Sequence, residues 1–205
     1  MKKLLFIIAI SILTFSVNAE SRFGDLTEMR DERMRGKDGK WVRPHPGPFI
    51  WNGIERTQGV FSWEQTDKYV AYAQKHNQKT LATIWPHANW EQKSCKRRKA
   101  SSPFGRKFTK YLSKPCSMDN YEIFLIKLVD RYDGDGKNDM PGLTKPIKHW
   151  QIMNEPEFKM FFKGKEDEFV EIFNFSSELI RSKQKDAVIV MAGAAGMFPE
   201  NKRFW

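Results

Sequence analysis

Glu155 stands in the run Trp150-Gln151-Ile152-Met153-Asn154-Glu155-Pro156, where an apolar stretch ends and a proline turns the chain aside. A carboxyl at such a place can give a proton to a leaving oxygen and take one back from water. Asn154 beside it offers an amide to a substrate hydroxyl. Other chemistry-bearing groups follow other apolar runs: Arg43 and His45 after Trp41-Val42, then Trp85, His87, Asn89 and Trp90 after Thr80–Ile84. Glu157 lies two residues past Glu155, and Ala192-Gly193-Ala194-Ala195-Gly196 supplies small residues that leave room. Carboxyl, amide, guanidinium, imidazoles and indoles together suit a hydroxyl-rich substrate. Cleavage of a glycosidic bond is the matching reaction, and it needs one carboxyl as acid/base and a second as nucleophile or base. Glu155 is the candidate acid/base, and Asn154, Arg43, His45, Trp85 and His87 are the candidate substrate contacts. A lone strand-end Glu is more often a solvated charge; it is the convergence of the other groups that favours chemistry here.

The elements that must hold these groups alternate along the chain. Short apolar strands are expected at 41–45, 80–85, 147–153 and 187–193. Helices are expected at 62–76, with Ser62 and Gln65 in capping-box spacing, at 118–132 and at 166–184. Their inward faces are Thr66, Tyr69, Val70 and Ala73; Tyr121, Phe124, Leu125, Leu128 and Val129; and Phe169, Ile172, Phe173, Leu179 and Ile180. The order predicts an α/β fold with a parallel sheet, leaving open a doubly wound sheet or a barrel. Residues 20–40 are weakly patterned and have room for a first strand and helix. No glycine-rich phosphate loop follows a strand, which removes the usual nucleotide-binding folds, and no cofactor is expected. The run Asp133-Gly134-Asp135-Gly136-Lys137-Asn138-Asp139 invites a calcium reading, but Arg131 and Gly142 stand where an EF-hand needs oxygen ligands. An Asp/Gly-rich turn is the commoner explanation, so no metal site is assigned.

Composition agrees with a soluble globular domain: 205 residues, 40% hydrophobic and 29% charged. Lys2 and Lys3, the apolar run Leu4–Val17 and Val17-Asn18-Ala19 have the form of a cleavable export signal over residues 1–19, leaving one domain over 20–205. The apolar run is too short to span a bilayer, so the mature chain is expected to be secreted or periplasmic with no membrane span. In that setting Cys95 and Cys116, the two cysteines, are expected to pair. The formal charge is +10, much of it between Lys93 and Lys114. Without a nucleic-acid-binding motif, a solvated basic loop explains this better than a nucleic-acid partner. The composition does not fix an oligomeric state.

Asn154-Glu155-Pro156 after its apolar strand resembles the acid/base strand of clan A glycoside hydrolases, the retaining (β/α)₈-barrel group. The stretches Trp41–Phe49 and Arg131–Gln151 are similar to bacterial members as well. The resemblance covers roughly four-fifths of the chain, from Trp41 onward. It implies a TIM (β/α)₈ barrel, a carbohydrate substrate, Glu155 as acid/base, Asn154 as its substrate-contacting neighbour and Arg43 as an orienter of the carboxylates. In that family order the Asn-Glu-Pro strand is the fourth, 187–193 would be the fifth, and the nucleophile closes the seventh. The chain therefore reads as the N-terminal portion of such an enzyme, about its first five βα units, with its nucleophile missing and little hydrolysis expected from it alone. Two other readings stay open: a carbohydrate-binding remnant without catalysis, and an envelope-associated protein using its basic loop.

Overall fold

The computed structural model describes residues 24–27, 40–97, 99 and 109–196. Five parallel strands form one sheet in the order β1-β2-β3-β4-β5: β1 Gly24–Thr27, β2 Trp41–Pro44, β3 Lys79–Ile84, β4 His149–Ile152 and β5 Val188–Val190. Spatial order follows chain order throughout, with no switch point. A doubly wound sheet would have one, so the topology is that of a contiguous portion of a singly wound α/β sheet, as barrels have. The expected strand in 20–40 is β1; the remainder of that stretch, the export signal and much of the basic loop lie outside the described residues.

Among the described residues, five helices pack on one face of this sheet or lie in its connections: α1 Trp51–Ile54, α2 Glu64–Lys75, α3 Asn89–Ser94, α4 Met118–Tyr132 and α5 Glu166–Lys183. Alternation along the strands explains the packing. Val42, Ala82, Ile84, Trp150 and Ile152 join the core with the inward faces of α2, α4 and α5. Tyr121, Phe124, Leu125, Leu128 and Val129 of α4 are completely buried, as their spacing predicts. In α5, Phe169, Ile172 and Ile180 are buried, while Phe173 and Leu179 are covered in part. Trp51 stacks on Phe124 at 5.3 Å and anchors its ring nitrogen on Glu55.

Helix α4 begins where its sequence says it should, since Ser117 accepts from the Asn120 amide. Helix α2 does not. The expected cap at Ser62 is replaced by Trp63, with no side-chain cap. Trp63 is held between a stacked Phe61, the edge of Tyr132 and the Arg131 guanidinium, and this tertiary packing sets where the helix starts. Arg131 and Tyr132 also bond Asp67 in the first turns of α2, tying it to the end of α4.

Cys95 and Cys116 form a disulfide. It joins the end of α3 to the segment 109–117, whose Leu112 packs with Ile50, Trp85 and Phe161 in a second small core. Lys114 pairs with Glu171, and Arg97 lies 3.6 Å from Glu168, so described cations of the basic loop rest on acids of α5.

Candidate active site at the strand ends

Towards the strand ends, the face of the sheet away from the helices carries polar groups that bond one another. Arg43 on β2 reaches across β3 to β4: its Nε donates to Gln151 Oε1 at 2.7 Å and to Thr83 Oγ1 at 3.3 Å. Its Nη2 donates to Asn154 Oδ1 at 2.6 Å. Thr83 and Gln151 are partners in the β3–β4 register, which puts both side chains under the guanidinium. Gln151 Nε2 donates to the Met153 carbonyl at 3.0 Å. Three strands thereby fix the orientation of one amide, with the Asn154 oxygen turned to Arg43.

Beyond β4 the backbone leaves its ordinary range. Met153 and Glu155 both have positive φ, 60° and 46°. Each such non-glycine residue costs on the order of 1 kcal/mol or more, and persists only where the surroundings enforce it. Here the Met153 amide is held by the Ile84 carbonyl at 2.9 Å and the Glu155 amide by the Gly193 carbonyl at 2.8 Å. The turn between β3 and the end of β5 is thus pinned from both sides. Gly193 is small for a reason: an added Cβ would lie 3.3 Å from Asn154 Oδ1.

The electrostatics follow from burial. Burial pushes the Arg43 guanidinium below its ordinary range, and the nearby Glu155 charge pulls it back up. His45 is pushed down by burial and by the Arg43 charge. His87 is wholly buried, its Nδ1 3.2 Å from the Ser113 carbonyl, and burial lowers it to about 4 against backbone acceptors at Ser113 and Phe161.

The structure brings Arg43, Asn154 and Glu155 together at the strand ends and places the other candidates differently. Trp85 was expected on a subsite surface, yet it is fully buried; its Nε1 donates to the Pro46 carbonyl at 2.7 Å, and His45 and Phe161 crowd its ring. His87 is buried behind it, against Phe162. Both underlie the site because segment 109–117, held by the disulfide, covers them. His45 stays half-exposed beside Phe161. Thr83, Gln151 and Phe161 were not singled out from the sequence. For the first two the signal was present, since they alternate along their strands on the face opposite the core.

Asp133, Asp135 and Asp139 bring one oxygen each within 4.8 Å of one another. Their carboxylates accept from the amides of Gly134, Asp135, Gly136 and Lys137, which is how an Asp/Gly turn satisfies itself. Among the described residues no helix is long and apolar enough to cross a membrane.

No family model matches the chain, and no curated protein matches it. Solved structures do. A glucosidase from Croceicoccus marinus aligns over 80% of this chain and 33% of its own, with a TM-score of 0.56 and 16% identity. A GH39 β-xylosidase from Caulobacter crescentus aligns over 73% and 32%, with a TM-score of 0.53 and 13% identity. Xylanase XynB from Paenibacillus barcinonensis aligns over 88% and 52%, with a TM-score of 0.55 and 14% identity. At these identities the likeness is one of fold, and the chain spans about one third to one half of the structures it matches: its parallel α/β sheet is similar to part of the glucosidase, xylosidase and xylanase folds.

Proposed function

We propose that this chain carries the acid/base half of a retaining glycoside hydrolase active site, with Glu155 as the acid/base and Asn154 as its substrate-binding neighbour. The observation that carries the reading is the Asn154–Glu155 turn itself. It is a backbone held left-handed on both sides of Asn154, at the end of a central strand, with the amide oriented by Arg43. The likeness of fold to glucosidase, xylosidase and xylanase structures supports the reading. A β-linked polysaccharide or oligosaccharide is the proposed substrate. The second carboxylate is not assigned among the described residues, because Glu157 is buried and accepts from the Ala195 amide. Export of the protein belongs to the same proposal, supported by the Cys95–Cys116 bridge.

The test is a titration of the isotope-labelled chain with xylo-, cello- and galacto-oligosaccharides. Shifts centred on Asn154, Glu155 and the Arg43 side chain are expected with at least one of them, and lost in Asn154→Ala. Saturable binding that leaves these residues unmoved would place the site elsewhere.

A further inference from the structure

Glu157 is a carboxyl with a place but no part in the chemistry above. It is only 5% exposed, and its Oε1 accepts from the Ala195 amide at 2.5 Å. A carboxylate costs free energy to bury, and a charge-assisted bond to a backbone N–H recovers some of that cost. The bond has a counterpart two residues away on each strand: the Glu155 amide donates to the Gly193 carbonyl. The turn after β4 and the segment after β5 are therefore stitched twice, once by backbone and once by the Glu157 side chain. Between the two stitches lies Pro156, which is buried and cannot donate a bond of its own. The segment Gly193–Ala195 offers no large side chains to hold it in place.

We propose that Glu157 is a positioning residue: by gripping the Ala195 amide it keeps the Gly193 carbonyl on the Glu155 amide, and so keeps Glu155 in its left-handed conformation. The functional meaning rests on the reading of Glu155 as acid/base; the mechanical claim does not. A relaxed Glu155 would return to an ordinary backbone conformation and re-aim its carboxyl, while Asn154 would stay on Arg43.

The experiment is amide hydrogen exchange, read residue by residue on the full chain as wild type, Glu157→Ala and Glu157→Gln. In Glu157→Ala the amides of Glu155 and Ala195 are expected to lose tenfold or more of their protection, with Ile84 and Ile152 unchanged. Gln, which retains an oxygen acceptor, is expected to restore most of it. Unchanged protection at Glu155, or a loss shared equally by Ile84 and Ile152, would overturn the proposal, the second because it marks plain destabilisation. Should Glu157→Ala fail to fold, the wild type still decides: the Ala195 amide proton is expected to shift in step with titration of the Glu157 carboxyl carbon. An amide that ignores that titration would equally overturn it. If saturable glycan binding leaves Asn154, Glu155 and Arg43 unmoved while these exchange results hold, the reading of Glu155 fails and the stitch stands.

Discussion

At the scale of single residues, the candidate site is an amide oriented by Arg43 beside a carboxyl carried on a pinned, left-handed backbone. General acid/base assistance typically contributes about 10²–10⁴ in rate, so in the complete retaining site, second carboxylate included, Glu155→Gln should lower kcat by that order. Gly193→Ala should be quieter in stability, within about 1 kcal/mol. The added methyl presses on Asn154 Oδ1, however, and glycan binding should weaken; calorimetric unfolding and a binding titration on one sample separate the two effects. His87 gives a pH prediction. Its folded pKa of about 4 lies below the unfolded value, so the unfolded chain binds the extra proton as pH falls. Its contribution is complete above about pH 6.5 and is lost towards pH 4, about 3 kcal/mol in all. Urea midpoints at pH 7 and 4.5 should differ less in His87→Gln than in the wild type. That Arg43, Asn154 and Glu155 stand at strand ends, where they meet, was legible in the sequence, because each follows an apolar run. The burial of Trp85 and His87 was not, since it depends on segment 109–117 folding over them from far along the chain.

At the scale of elements, periodicity was enough wherever one face of a helix meets the sheet. Helix α4 shows this, with a serine cap and an unbroken apolar stripe that needs no tertiary information. Leu125→Ala should cost about 2–5 kcal/mol, whereas Ile123→Ala, at a residue 51% exposed, should cost about 0.5 kcal/mol or less by chemical denaturation. The start of α2 was misread because Trp63 is placed by Phe61, Tyr132 and Arg131, contacts that a local capping rule does not contain. The disulfide is the element-scale device that fastens the lid over Trp85. Its loop, with a sequence separation of 21, is worth about 3 kcal/mol, and the Cys95→Ser/Cys116→Ser double variant should lose stability of that order. The same variant should expose Trp85, seen as a red-shifted and more quenchable tryptophan emission.

At the scale of the molecule, sequential parallel order collects every strand end on one side, and that alone brings Arg43, Thr83, Gln151 and Asn154 into contact across more than a hundred residues. The alternation of elements predicted a parallel sheet; which of two windings it adopts emerged only from the spatial order of the strands, because helix and strand patterns are the same in both. The proposed chemistry rests on the proton that Glu155 delivers. Its most direct test is the turnover of aryl β-glycosides by the complete retaining site of which this chain is proposed to be the acid/base half, second carboxylate included, with Glu155 intact and as Glu155→Ala, with and without azide. A retaining acid/base variant should be about 10²-fold or more slower on substrates with poor leaving groups, and on substrates with good leaving groups, where breakdown of the glycosyl-enzyme limits, azide should restore rate while yielding a glycosyl azide. Turnover that is unchanged in Glu155→Ala would contradict the assignment.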